Sequence, residues 1–156
     1  MTATVRRLNH AVLYVRDAQR AAAFYHEALG FETVSEMGGG AAVFLRAAGN
    51  DNHHDLGLFS LGAQAPPPQP GRVGLYHLAW QVETIHDLVE LRARLLQMGA
   101  LVGESDHGVS KSLYAKDVDG NEFEVMWALP PDQWGDLEHE AITRRLDLAT
   151  EVAQHG

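Results

Sequence analysis

The chain has 156 residues and a mass of 17.1 kDa, the size of one domain or of two small units that share a core. Twelve basic residues against 21 acidic ones give a net charge of −9, which disfavours nucleic acid and anionic membranes as partners. The sequence has no cysteine, so disulfides, thiolate metal sites and a cysteine nucleophile are excluded. Without an apolar run of membrane-spanning length or a leader-like stretch, we expect a cytoplasmic protein.

An apolar stretch near the start of the chain recurs in its second half. LNHAVLYV occupies residues 8–15 and LYHLAWQV occupies residues 75–82. Each stretch predicts a strand, and each has a histidine at its third position, His10 and His77. The two halves therefore begin in the same way.

Each of these strands leads into a helix with recognisable ends. Asp17 predicts the N-cap of the first helix, which is expected to stop at Gly30. Thr84, with Asp87 at the capping-box position, predicts the start of the second helix, which is expected to stop at Gly99.

Three strand-like runs follow each helix: FETVSEM, AAVFLRA and HDLGLFSL in the first half, and ALVGES, SLYAKDV and NEFEVMW in the second. The expected fold class is α+β. Two tandem βαβββ modules, at 5–62 and 73–128, would form a curved mixed sheet around a metal-binding cleft within one domain, 1–129. A proline-rich linker at 63–72 separates the modules.

Residues 130–156 form a C-terminal tail with a different pattern. A helix is predicted from Asp136 to about Gln154, with apolar contacts at Leu137, Ile142, Leu146 and Leu148. We expect this helix to pack on the domain or on a second subunit. A lid over a site is the alternative.

Three side chains predict a metal site. Glu124 lies in the middle of the apolar run EFEVMW, where an unpaired buried carboxylate would cost several kcal/mol. A bound cation removes that penalty. His10 and His77 hold the same place in the repeat, although a single strand histidine is more often a hydrogen-bonded core residue. Two histidines and one carboxylate are typical of non-haem Fe(II) sites with open coordination positions.

The sequence resembles the vicinal oxygen chelate superfamily, which includes glyoxalase I, extradiol ring-cleavage dioxygenases, methylmalonyl-CoA epimerase and bleomycin-binding proteins. The resemblance covers residues 5–128 and depends on LNHAVLYVRD, AFYHEALGFE, LYHLAWQV and DVDGNEFEVMW. Val118 stands where the family's turn motif usually has proline. The resemblance implies His10, His77 and Glu124 as the metal ligands.

Finer motifs are similar to those of the extradiol dioxygenases. Residues 53–59 read HHDLGLF, like a first-half strand of those enzymes, and Tyr114 stands ten residues before Glu124. The resemblance implies His54 as the catalytic acid and base, Tyr114 as a hydrogen-bond partner of the substrate and His107 as a further catalytic residue. It favours Fe(II) as the metal, with Mn, Ni, Co and Zn as alternatives.

The expected reaction is cleavage of a catechol-like aromatic substrate with O2, by a protein that we expect to be a homodimer. A glyoxalase I-like lyase or an epimerase stays open as an alternative. Glyoxalases take a fourth ligand from the first half, where repeat alignment places Gly57, with Asp55 two residues away. A non-enzymatic protein that binds an aromatic antibiotic is the other alternative. The sequence also leaves open whether the site forms within one chain or by exchange between two.

Overall fold

The computed structural model describes residues 2–156 and divides into two compact units, one up to Pro68 and the other from Gln69 to Gly156. Each unit contains one βαβββ module with its own four-stranded mixed sheet, and the second unit also contains the C-terminal tail. The predicted α+β class, the two βαβββ modules and a C-terminal helix are confirmed. The boundary between the units lies in the proline-rich segment 63–72.

The first unit forms a sheet with the strand order β1-β4-β3-β2, in which only the β1–β4 pair is parallel. Leu13 and Val15 are buried while Val12 and Tyr14 on the opposite face are exposed, as strand alternation requires. The elements are β1 (Ala11–Val15), α1 (Ala18–Leu29), β2 (Glu32–Met37), β3 (Ala42–Arg46) and β4 (Leu56–Ser60).

The second unit repeats this topology with the order β5-β8-β7-β6, again with one parallel pair, β5–β8. Phe123, Val125 and Trp127 on one face of β8 are buried and contribute to the core. The elements are β5 (Leu78–Gln81), α2 (Ile85–Gln97), β6 (Leu101–Asp106), β7 (Ser110–Lys116) and β8 (Glu122–Ala128).

The predicted helix ends are confirmed. The side chain of Asp17 accepts hydrogen bonds from two backbone N–H groups of the first turn of α1, and Gly30 ends that helix at a φ of 72°. Thr84 and Asp87 form a reciprocal capping box at the start of α2, which ends at Gln97, just before the predicted stop. None of the helices formed by residues 2–156 is long and apolar enough to cross a membrane.

The first strand of each unit begins later than predicted. β1 starts at Ala11 and β5 at Leu78, so His10 and His77 each lie one residue before their strand. In the first unit the ladder starts where Ala11 pairs with Leu56, because β4 extends no further. Both histidines therefore lie at the edge of a sheet, where the chain enters its first strand.

The prediction of one helix from Asp136 to Gln154 is wrong. Two short 3₁₀ helices, Pro131–Gln133 and Gly135–His139, precede an irregular stretch, and only α3 (Leu148–His155) is α-helical. Leu146 is buried, and the other predicted contacts are half-buried, namely Leu137, Ile142 and Leu148.

A non-local contact explains the interruption. Arg144 exchanges two backbone hydrogen bonds of 2.9 Å with Asp106 at the end of β6, which holds this part of the tail extended. Asp147 then starts α3 afresh, because its side chain accepts a hydrogen bond from the backbone N–H of Thr150. Pairing with the sheet prevails here over the helical periodicity of the sequence.

Candidate metal centre

A histidine and a buried carboxylate meet in the second unit. Nε2 of His77 lies 3.0 Å from Oε2 of Glu124. The parallel register of β5 and β8 brings them together, because it places Ala79, two residues after His77, opposite Glu124. The structure thus joins two of the three predicted ligands.

The pair has the donor chemistry and spacing of metal ligands. Nε2 and Oε2 lie at the 3.0 Å distance of a direct ion pair, and two atoms that each bind one cation at about 2.1 Å would lie at a similar separation of roughly 3 to 3.5 Å. The other ring nitrogen of His77, Nδ1, is buried and without a hydrogen-bond partner. Imidazole nitrogen and carboxylate oxygen both suit divalent transition metals. His77 and Glu124 therefore fit a divalent cation.

The third predicted ligand, His10, belongs to the first unit. Among residues 2–156, no three histidine or carboxylate side chains lie close enough together to hold a metal. His10 as a ligand thus stays a prediction. Its Nδ1 lies 2.9 Å from Oδ1 of Asn9, and since an amide oxygen only accepts, Nδ1 carries the proton. Nε2 of a neutral His10 ring is left with a free lone pair, as a metal ligand requires.

A chain of amides holds Asn9 in this orientation. Nδ2 of Asn9 donates to Oδ1 of Asn52, which is buried, and Nδ2 of Asn52 donates to Asp55 at 2.8 Å. Because the N–H₂ group of Asn9 donates a hydrogen bond to Asn52, the amide oxygen of Asn9 faces His10. The polar chain from Asp55 to His10 resembles the outer-shell support that orients ligating histidines in metalloproteins.

Asp55 accepts hydrogen bonds on both of its carboxylate oxygens in this network. Its two carboxylate oxygens accept hydrogen bonds from the backbone N–H of Ala47 and from the side chains of Asn50 and Asn52. The buried carboxylate therefore fixes the loop before β4, which disfavours it as a fourth metal ligand.

The strand registers confirm that Gly57 is the counterpart of Glu124. In the first sheet Val12, two residues after His10, pairs with Gly57, just as Ala79 pairs with Glu124 in the second. Glycine has no side chain to coordinate a metal. The first unit thus supplies no carboxylate at the matched position.

His54 lies beside His10, in the loop before β4. The ring centroids of His54 and His10 are 4.5 Å apart, and Phe44 packs edge-on against His54 at 5.2 Å. Nδ1 of His53 lies 3.0 Å from Nδ1 of His54. Partial burial lowers the pKa of His54, and the neighbouring His10 and His53 lower it further. This favours an uncharged imidazole.

Tyr114 and His107 form a second hydrogen-bonded pair, in the second unit. Tyr114 pairs with Glu124 across β7 and β8, and its ring lies edge-on to His77 at 5.7 Å. Its hydroxyl is 2.8 Å from Nε2 of His107. Burial and the negative charge of Glu124 raise the pKa of Tyr114, so the phenol keeps its proton. The structure thus groups Tyr114, His107, His77 and Glu124.

Sequence reasoning missed the groups that orient these side chains. Asn9 directly precedes His10, and a polar neighbour of a candidate ligand was a signal available in the sequence. The backbone carbonyl of Ile142, which lies 2.8 Å from Nδ1 of His107, leaves no such signal. Any side chain at position 142 would provide the same carbonyl.

The profile of the Glyoxalase/Bleomycin resistance protein/Dioxygenase superfamily matches residues 7–125. The chain belongs to this superfamily, in agreement with the resemblance drawn from its motifs. Members of the superfamily bind divalent metals.

Curated relatives include dioxygenases of catechols and biphenyl-diols. The chain is 35% identical to biphenyl-2,3-diol 1,2-dioxygenase 3 of Rhodococcus globerulus over 92% of this chain and 75% of that protein. It is 29% identical to catechol-2,3-dioxygenase of Bacillus subtilis over 81% of this chain and 43% of that protein. The chain thus spans less than half the length of the Bacillus relative. Another relative, from Geobacillus genomosp. 3, is named as manganese-dependent.

Solved structures share the fold. A glyoxylase/bleomycin resistance protein/dioxygenase domain from Frankia is 23% identical, with a TM-score of 0.67 over 88% of this chain and 100% of that one. Lactoylglutathione lyase from Agrobacterium tumefaciens is 26% identical, with a TM-score of 0.60 over 85% of this chain and 99% of that one.

Proposed function

We propose that this protein cleaves a catechol-like aromatic ring with O2 and that Fe(II) is its native metal. The observation that carries the proposal is the 3.0 Å pair of His77 and Glu124 with Tyr114 beside it. The similarity to catechol and biphenyl-diol dioxygenases supports this substrate class. In the proposed reaction the ring C–C bond next to the diol breaks and both atoms of O2 enter the product. No further reductant is needed.

The proposed metal ligands are His10, His77 and Glu124. A divalent metal held by these residues would act as a Lewis acid and lower the pKa of a hydroxyl of the diol that it binds. The proposed ligands carry one negative charge, from Glu124, whereas the metal would carry two positive charges. The site would therefore have a net positive charge, which suits a substrate that becomes an anion. Gly57 at the matched position of the first unit supplies no further side-chain ligand.

Tyr114 is proposed to orient the substrate. Its phenolic proton is directed at Nε2 of His107, so the oxygen presents its lone pairs to other partners. A substrate hydroxyl that still carries its proton can donate to this oxygen. The buried Phe123 and Val125 on the other face of β8 form part of the core that keeps this strand rigid.

His54 is proposed to move the substrate proton. A neutral imidazole has one free nitrogen lone pair that can accept a hydroxyl proton and return it to the product. The rings of Phe44 and His10 hold the ring of His54 in place on two sides. This assignment follows the family resemblance of the HHDLGLF segment.

The proposal is tested by anaerobic reconstitution with Fe(II), followed by O2 and a panel of catechols that includes 2,3-dihydroxybiphenyl. We expect O2 uptake and a yellow ring-opened product, both lost in E124A. Iron bound in stoichiometric amount, with no ring-opened product from any catechol, would overturn the proposal.

A glyoxalase-type lyase is the second candidate, because a lactoylglutathione lyase shares the fold. The resemblance implies that such an enzyme needs a fourth protein ligand; Gly57 has no side chain to provide one, and Asp55 is held by hydrogen bonds on both carboxylate oxygens, which disfavours it. Turnover of the methylglyoxal–glutathione adduct with Ni, Co or Zn, without O2 uptake on catechols, would favour this candidate.

A further inference from the structure

A backbone carbonyl of the C-terminal tail contacts the candidate site. The carbonyl oxygen of Ile142 lies 2.8 Å from Nδ1 of His107, whose Nε2 lies 2.8 Å from the hydroxyl of Tyr114. A carbonyl oxygen only accepts hydrogen bonds, so Nδ1 of His107 carries a proton and donates it. In the neutral ring Nε2 is then an acceptor, and Tyr114 is the donor.

The tail is anchored directly beside this contact. Besides its two backbone bonds to Asp106, Arg144 places Nε 3.2 Å from the Asp106 carboxylate. The same carboxylate accepts from the buried ammonium group of Lys111 at 2.6 Å. Lys111 also reaches Glu151 on α3 at 3.3 Å. A partly buried ion network thus ties both ends of the stretch to the sheet.

Gly108 provides the close approach that the contact needs. It follows His107 directly and has a φ of +77°, a conformation that favours glycine. A Cβ at this position would lie 3.0 Å from Cδ1 of Ile142, closer than ordinary van der Waals contact. The turn and the tail therefore fit each other at this point.

We propose that the tail segment 142–144 is a positioning element that locks His107 in its Nδ1–H tautomer. The tautomer of His107 determines whether the Tyr114 hydroxyl acts as a hydrogen-bond acceptor or as a donor towards a ligand. With Nε2 as an acceptor, Tyr114 gives its proton to His107 and presents oxygen lone pairs. With the opposite tautomer, Tyr114 would accept from Nε2–H and turn its own proton towards the ligand. The segment thus sets Tyr114 to recognise a hydroxyl donor rather than an anionic oxygen.

The test is a ¹⁵N NMR measurement of the His107 ring, which distinguishes the two tautomers and requires no turnover. In the wild-type chain we expect an Nδ1–H resonance and an unprotonated Nε2. R144P removes the N–H that donates to Asp106 and should convert His107 to a mixture of tautomers. R144A should have a smaller effect. R145A is the matched control, because it removes one positive charge from the neighbouring exposed residue, and it should change nothing.

The inference rests on the proposed function only for its kinetic consequence. If the protein cleaves catechols as proposed, R144P should lower kcat for that reaction by about tenfold, the usual size of an effect from a lost outer-shell contact. The amount of metal bound per chain should not change. A wild-type His107 protonated on Nε2, or unchanged tautomers in a folded R144P, would overturn the inference. The expected tautomers in a chain without ring-cleaving activity would leave the inference standing and overturn the proposed function instead.

Discussion

The two units of this chain share one scaffold but differ in the chemistry of matched positions. Phe44 pairs with Gly57 in the first sheet, whereas Tyr114 pairs with Glu124 at the same place in the second. Each unit still has a histidine just before its first strand. A duplicated βαβββ module can therefore carry a carboxylate at the matched strand position in one copy and a glycine in the other, while both copies keep a histidine before the first strand.

The two units also orient one histidine each by different means, although these two histidines, His10 and His107, do not hold matched positions in the repeat. In the first, a side-chain amide from Asn9 accepts from His10, and a polar network behind it ends at Asp55. In the second, a backbone carbonyl of the tail accepts from His107.

The largest effect is expected at the position where the sheets differ most. E124A should weaken Fe(II) or Mn(II) binding by more than ~100-fold, since loss of a direct ligand should exceed the usual effect of losing an outer-shell contact. The matched change in the first unit is G57A, whose added Cβ would meet Val12 and Phe44 at ordinary contact distances. G57A should leave the metal affinity, measured by isothermal titration calorimetry, nearly unchanged. Equal metal affinities in E124A and G57A would show that Glu124 is not a metal ligand.

The buried ion network of the second unit should contribute more to the free energy of unfolding than the exposed ion pair of the first unit. D106N leaves Lys111, whose side chain is only 5% exposed, without its main counter-charge and should cost about 3 kcal/mol of unfolding free energy. In the first unit, E32Q breaks the exposed Arg46–Glu32 pair and should cost less than about 1 kcal/mol. Urea denaturation of both variants measures the difference.

The same network predicts a pH dependence. Burial opposes ionisation of Asp106, but the Lys111 hydrogen bond, the Gly108 N–H and the charge of Arg144 outweigh it and lower the pKa. The stabilisation is therefore complete above the unfolded-state pKa of about 4 and is lost as the pH falls through the lower folded pKa. Wild-type stability should thus fall more steeply on acidification than that of D106N. Parallel curves would contradict this assignment.

Tyr114→Phe makes the second sheet resemble the first, which has Phe44 at that place. We expect kcat on a catechol to fall about 30-fold, through loss of the hydrogen bond that orients the substrate. Metal content should not change, because the phenol is not a proposed ligand. Wild-type kinetics in Y114F would show that Tyr114 has no role in substrate orientation.

Asn9→Ala removes the acceptor that orients His10 and should weaken metal binding about tenfold. Asn9→Asp keeps an oxygen at this place and should retain most of the affinity. Asp is nearly the same size as Asn, so N9D keeps the volume as well as an acceptor oxygen, whereas N9A removes both. Equal loss in both would indicate that the Asn9 contact does not orient a ligand.

Local signals made α1 and α2 predictable. Asp17, and Thr84 with Asp87, act on backbone groups within one turn, so their effect can be read without knowledge of the fold. The repeat likewise indicated that Gly57 matches Glu124, because both modules have the same strand register.

Non-local contacts explain what the sequence did not show. The tail has helical periodicity, yet the backbone of Arg144 pairs with Asp106, 38 residues earlier in the chain. The backbone carbonyl of Ile142 contacts His107, and since every residue has such a carbonyl, the contact leaves no pattern in the sequence. The first strands of the two modules were predicted from residues 8 and 75, but they begin at Ala11 and Leu78, because the apolar pattern extends beyond the end of the hydrogen-bonded ladder.

The central claim is that His77 and Glu124 are ligands of one divalent metal and that His10 completes the set. A crystal structure of the Mn(II)-loaded protein, with anomalous data at the manganese edge, tests it most directly. The account predicts one ion per chain, within bonding distance of Nε2 of His77, a carboxylate oxygen of Glu124 and Nε2 of His10. An ion bound elsewhere, or one held by His77 and Glu124 with His10 absent, would contradict it.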